Sequence, residues 1–273
     1  NVAEIAVSDD DENGVSGAQG ELEKAKNRSR QATIAAKNAS DQAKEAADAT
    51  TLETARAAMA AAAAYASAAR ANAAASETNA RVAEALSAKD TDIVSETRNA
   101  AAQAETNARE SLSSAQEASL YASIAANATG SVAHVAASAA QINAAAAKSN
   151  AATADAYASV AAAQTAGDVG AIEAARVEAG ASESYTNQAT ATAKEISASL
   201  GGDVDEEKGR KVAAQVEAAV RKAEVLAENA DIATGHTTEI GGTVPSGPKP
   251  NIIYDDDDDS SDIPEDARDA SPI

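Results

Sequence analysis

No cysteine, tryptophan or phenylalanine occurs in this chain of 273 residues, and no proline before Pro245. Each absence removes a class of answer. Without cysteine there is neither a disulfide framework nor a thiolate metal site. Leucine, isoleucine and valine together number 36, too few large side chains to fill a compact globular core. No run approaches the ~18 apolar residues of a membrane span, so no membrane partner is expected. Only 22 Lys and Arg stand against 43 Asp and Glu, a net charge of −21, which counts against a nucleic-acid partner because such a partner needs a basic face. The two histidines, His134 and His236, lie far apart in the sequence and suggest no nucleophile–base pair and no metal site. We therefore expect no enzyme and no cofactor.

A chain so poor in large apolar residues and so highly charged reads at first as disordered. Alanine reverses that reading. It supplies roughly 30% of the residues and is the best helix former, and the lack of proline leaves helix permitted over most of the length. Its placement is also periodic. Alternating steps of three and four run through Leu52, Ala55, Met59, Ala62, Ala66, Ala69, Ala73, Ser76, Ala80 and Ala83. The same frame continues through Ala101, Ala104, Ala108, Ser111, Ala115, Ala118, Ala122, Ala125, Thr129, Val132, Ala136 and Ala139. This is the a/d seam of a left-handed coiled coil. Within it only Asp90 is charged, although fifteen charged residues lie between positions 52 and 139.

The expected fold is all-α: a long alanine-rich coiled-coil rod over residues 21–200, favouring a four-helix bundle, with disordered acidic ends. A first seam through Leu22, Ala25, Ser29, Ala32, Ala36, Ala39, Ala43 and Ala46 joins the main frame by a stammer near residue 49. Near residue 140 the frame slips by one and continues as Ala140, Ala144, Ala147, Ala151, Ala154, Ala158 and Ala161. After Asp168 it resumes at Ile172, Ala175, Ala179, Ser182, Thr186, Ala189, Ala193, Ile196 and Leu200. The soft spots near 90 and 168 read more readily as solvated kinks than as turns. Residues 1–20 read as a flexible acidic head, and 203–234 as a short helix with Val212, Val216, Ala219, Ala223, Leu226 and Ala230 on one face. Residues 235–273 read as a Gly/Pro linker and a disordered tail whose aspartate run at 255–259 favours solubility. Asn1 in place of an initiating methionine is read as the mark of a processed, secreted product.

Tyr65, Tyr121, Tyr157 and Tyr185 all fall at heptad position g once the slip is counted, and Asn72, Asn79 and Asn107 share that position. The apolar face is thus a/d/g, wider than a dimer seam, which favours a tetramer. The tyrosines are expected to fill the groove beside small alanines rather than to cross-link. Burying an alanine methyl is worth ~0.8 kcal/mol against ~1.5–3 for a leucine, so the seam is weak per heptad and must win by length and close approach. A lone rod would expose it, which implies a homo-oligomer or a hetero-oligomer with related chains. Three sequons, at Asn27, Asn38 and Asn127, fall on outward positions and are candidate N-glycosylation acceptors.

An alanine-dominated a/d seam over residues 22–234, with short polar ends, sparse tyrosine and no cysteine, resembles the coiled-coil silk fibroins of the aculeate Hymenoptera: bees, bumblebees, ants and hornets. The resemblance implies secretion from larval labial glands, and co-assembly of related fibroins into four-stranded coiled coils spun into fibre. It would make Ala62, Ala66, Ala101, Ala104 and their seam mates assembly residues. Three alternatives carry less. A phage or bacterial fibre stalk usually feeds a folded tip, a desiccation-type stress protein would not hold one frame for so long, and an ice-binding helix needs regularly spaced threonine.

Overall fold

The computed structural model describes residues 9–89, 91–199 and 206–235. Six helices make up 94% of the described residues, with no strand among them, so the class is all-α. They are α1 (Asp9–Ala47), α2 (Leu52–Ser87), α3 (Thr91–Asn127), α4 (Ser131–Ala166), α5 (Val169–Ser199) and α6 (Glu206–Thr234). Helix α1 starts at Asp9, within the stretch 1–20 expected as a flexible head. The acidic tail expected beyond residue 235 lies outside the described residues, as do residues 1–8.

The chain is not one rod. It folds back between successive helices, and three of them, α2, α3 and α4, have 36, 37 and 36 residues. Near-equal lengths joined by three-residue connections give antiparallel neighbours. Each spans about 55 Å at 1.5 Å per residue, against the roughly 220 Å that residues 52–200 would cover as a single helix. Helices α2, α3 and α4 pack on one another, α1 lies along α2, and α5 and α6 form a second group with α4. Helix α4 is therefore common to both groups. Its second half, from Ala146 to Gln164, is buried on almost every side.

Local chemistry explains why the soft spot near 168 is a turn and not a kink. Gly167 closes α4 in the left-handed conformation, at φ 72 and ψ 18. Its N–H donates to the Gln164 carbonyl at 3.2 Å, and the Asp168 N–H donates to the Ala163 carbonyl at 3.4 Å. This pair of bonds is the Schellman closure, which satisfies carbonyls the helix end would leave open. Asp168 then starts α5: its Oδ1 accepts the Ala171 N–H at 3.0 Å, the bond of an N-cap. Thr51 does the same for α2, with its Oγ1 accepting the Thr54 N–H at 3.2 Å. Asp168, where the heptad frame breaks off, is thus a helix cap.

Candidate assembly faces

Helix α3 buries one stripe along its length. Val94, Thr97, Ala101, Ala104, Ala108, Ser111, Ala115, Ala118, Ala122 and Ala125 are all buried, flanked by Ala100, Asn107 and Ser114 at position g. Beyond the slip, Ala140, Ala147, Ala151, Ala154, Ala158 and Ala161 of α4 are buried and Ala144 partly so. On α5, Ala175, Ala179, Ser182, Thr186, Ala189 and Ala193 are buried, and Ile172 is half-buried. The side chain of Ile196 lies outside the described residues. These seams are filled by helices of the same chain, so partner chains are not needed to cover them.

Helix α2 differs. Its buried stripe is Ala57, Ala61, Ala64, Ala68, Ala71, Ala75, Thr78, Val82 and Ala85, a heptad series displaced from the frame read in the sequence. Of the expected seam only Ala69 and Ala83 are buried; Ala62, Ala66 and Ala73 are half-buried. Leu52 and Met59 are 59% and 44% exposed. The cause is that α2 meets α1, α3 and α4 and needs more than one covered face. Because residues 57–75 are nearly all alanine, hydropathy does not separate those faces.

Helix α1 departs in another way. Its inward positions are Ala18, Glu21, Ala25 and Ala35, buried, with Arg28, Ala32, Ala39 and Gln42 half-buried, whereas Leu22 and Ala36 face out. Polar residues sit inward because they reach other helices. Arg28 donates to Asn72 Oδ1 at 3.3 Å and pairs with Glu105 of α3 at 3.4 Å, and Glu21 lies 3.9 Å from Arg98. Glu105 also accepts from Asn79 at 3.0 Å. Burial alone would raise the Glu105 pKa. The Asn79 hydrogen bond and the Arg28 and Arg109 charges outweigh that, and the net shift is downward from 4.5.

The four g-position tyrosines all line alanine clusters. Tyr65 is buried among Ala35, Ala61, Ala64 and Ala68, and Tyr121 packs partly buried against the same cluster. Tyr157 packs against Ala104, Ala154 and Ala158 on one side and Val160 and Ala175 on the other. Its hydroxyl donates to Glu183; burial first, then the bond to and charge of that carboxylate, hold its pKa well above the usual phenol value. Tyr185 packs against Ile142 and Val216 beneath the Lys222 ammonium, 4.9 Å from the ring centre, a cation–π distance. Among the sequons, Asn27 and Asn127 are exposed and Asn38 is half-buried; Asn127 ends α3 and its sequon runs into the α3–α4 turn. His134 is exposed on α4, and His236 lies outside the described residues.

A feature the periodicity missed lies where α4, α5 and α6 meet. Ser149, Asn150 and Thr153 on α4 face Ser182, Thr186 and Thr190 on α5, and all six are buried. Thr153 Oγ1 lies 2.8 Å from both the Ser182 and the Thr186 hydroxyl, and Ser149 bonds Thr186. Ser182 donates to the Ala223 carbonyl of α6 at 3.0 Å, and Asn150 donates to Thr190 at 3.0 Å. A hydroxyl has one proton; Ser182 gives its own to the Ala223 carbonyl and accepts from Thr153, while Thr186 accepts from Ser149 and has both Thr153 and, at 3.1 Å, the Ser149 carbonyl within reach as acceptors. Such a chain in a dry interior strengthens link by link and tolerates no shift of one helix along another. The signal in the sequence was Ser182 and Thr186 at successive seam positions. Nearby, Ser159 bonds Asp231, and Lys148 pairs with Glu224 at 2.8 Å, further tying α6 to α4.

Among the described residues no group of three or more His, Cys, Asp or Glu side chains is placed to hold a metal ion, and no helix is long and apolar enough to cross a membrane. No family model and no curated protein matches this chain.

Proposed function

We infer that this protein is a structural protein whose activity is assembly, a secreted fibroin-like chain that builds coiled-coil bundles into fibre. The observation that carries this reading is the seam itself. Helices of some 36 residues close on one another through alanine at heptad spacing, with a few buried polar residues bonding between helices. Alanine seams permit many alignments, and the Ser149–Thr186–Thr153–Ser182 run supplies the selection they lack. Surfaces left for other chains, sister fibroins or further copies up to a tetramer, centre on the outward part of the α2 frame at Leu52 and Met59. Ile34 on α1 and Leu120 on α3 are likewise exposed.

Circular dichroism and sedimentation mass measured on the same samples over a range of concentration test the proposal. Helicity accompanied by mass that grows toward a tetramer, and by filaments on concentration, is the expected result. A helical monomer that neither grows nor forms filaments, alone or with a candidate sister chain, would overturn it.

A further inference from the structure

We propose that the α2–α3 turn is a hinge through which two copies of this chain exchange their α1–α2 hairpins. The inference concerns two copies of this chain and stands apart from the fibre reading.

Positive φ occurs at four described residues. Three are glycines, Gly130, Gly167 and Gly235, at the ends of helices where glycine adopts it freely. The fourth is Lys89, at φ 58, immediately after α2. Its N–H donates to the Leu86 carbonyl at 3.2 Å while the Ala88 N–H donates to the Glu84 carbonyl at 3.0 Å, so Lys89 stands where a helix-closing glycine normally stands. A β-carbon disfavours this conformation, because it crowds the following carbonyl oxygen. No glycine or proline occurs from residue 21 to residue 129, so no helix breaker stands in the turn, and a continuous helix has only the cap preference of Asp90, Thr91 and Asp92 to outweigh. Alanine and lysine at 88 and 89 are good helix formers.

A short connection under strain, flanked by two long helices, is the condition that favours swapping. When Lys89 turns helical, α2 runs straight into α3 and each α1–α2 hairpin seats on the α3–α4 pair of the other copy. The contacts needed already exist. The α1–α2 hairpin holds together through packing and the Ser76 bond to the Ala25 carbonyl at 2.8 Å, and α3–α4 through Ser111 to the Ala147 carbonyl at 2.8 Å. What crosses between them is Arg28–Glu105, Glu21–Arg98, Asn79–Glu105, Arg70–Asp155 and Thr54 to the Ala125 carbonyl. Every one is remade between copies, so the exchanged dimer keeps these contacts and loses the left-handed Lys89 at two hinges. The entropy of association and the Lys89 bond that closes α2 oppose it, and concentration offsets the first.

Light scattering on size-separated full-length protein, as wild type, Lys89→Gly and Lys89→Ala, reads the equilibrium. Glycine both relieves the turn and weakens a helix through it, so Lys89→Gly should lower the dimer association constant about tenfold or more. Lys89→Ala should keep or raise it. An exposed turn glycine does not endanger folding, and circular dichroism checks this. Carbodiimide coupling of the isolated Arg28→Lys dimer then joins the amine introduced at position 28 to the Glu105 carboxylate, with Arg28→Lys/Glu105→Gln as the control: a Glu105-dependent bond between chains is expected. Equal dimer constants for wild type and Lys89→Gly, no dimer with Lys89→Ala, or a bond confined to one chain would each overturn the hinge.

Discussion

Arg70 on α2 pairs with Asp155 on α4, and the two ends of that pair sit in different environments: the Asp155 side chain is fully buried while the Arg70 side chain is 44% exposed. The guanidinium helps to hold a carboxylate in an alanine interior. Removing it by Arg70→Ala takes a charge partner from a buried carboxylate, at a cost of about 3 kcal/mol, the low end for a buried pair because water still reaches the arginine. The double variant Arg70→Ala/Asp155→Ala should recover much of that loss. Urea unfolding of the wild type, both single variants and the double variant gives the coupling. Additive losses would mean that the pair does not act as a unit.

The hydroxyl run between α4 and α5 predicts a different pattern. Thr186→Val conserves shape but leaves Ser149 and Thr153 with a missing partner in a dry site, which should cost about 1–3 kcal/mol. Replacing Ser149 and Thr153 in addition, by alanine and valine, removes the stranded groups, and stability should partly return. What should not return is a single register. Amide exchange along α5 would then report more than one alignment of that helix against α4.

Glu105 gives the fold an acid-sensitive contact. Its folded pKa lies below 4.5, held down by Asn79, Arg28 and Arg109 against burial. A depressed carboxyl contributes stability that is present above its unfolded value and is lost as pH falls through the folded value. Unfolding curves should therefore weaken below about pH 4.5, and Glu105→Gln should remove part of that dependence while lowering stability at neutral pH. An unchanged acid slope in Glu105→Gln would assign the sensitivity elsewhere.

How far the sequence disclosed this structure depended on what surrounded each alanine. On α3, charged residues such as Arg98, Arg109 and Glu117 punctuate the outer faces, so the buried stripe from Val94 to Ala125 stands out by contrast. The same holds on α5, where Glu173 and Glu183 bracket Ala175, Ala179 and Ser182. On α2 the contrast fails: between Ala57 and Ala75 charge appears only at Arg70, and two heptad stripes are equally apolar. On α1 the outward Leu22 and inward Arg28 invert the usual rule, because Arg28 is satisfied by Asn72 and Glu105, residues of other helices far along the chain. The turns hid for a related reason. Heptad phase is blind to helix direction, so a frame that runs on past Lys89 looks the same whether the chain continues or reverses.

Two glycines with equally open surroundings should respond to alanine with opposite sign. Nothing lies within 4 Å of a β-carbon built on Gly167 or on Gly180. Gly180 is in the body of α5, where alanine gains helix propensity, so Gly180→Ala should stabilise by about 0.5–1 kcal/mol. Gly167 holds φ 72 at the end of α4, and Gly167→Ala should destabilise by about 1–2 kcal/mol without any steric contact. Thermal unfolding of the two variants separates backbone conformation from packing. Equal shifts would show that α4 does not need its left-handed closure.

Ala108 and Met59 occupy the same heptad position a in the frame read from the sequence, and the structure separates them. Ala108 has no exposure and packs among Ala71, Ala75, Ala151 and Ala154, where the smallness of each side chain lets backbones approach. Ala108→Leu adds three carbons to a fully buried site and should cost about 1–3 kcal/mol, with Ala104→Leu alongside it roughly doubling the loss or breaking the α2–α3–α4 packing. Met59 is outward on α2, and Met59→Ala should leave monomer stability within about 0.5 kcal/mol. If Met59 instead lies at a contact between chains, the same substitution lowers the association measured by sedimentation while the melting of dilute protein is unchanged. A loss of monomer stability in Met59→Ala equal to that in Ala108→Leu would mean that α2 buries the face the heptad frame assigned to it.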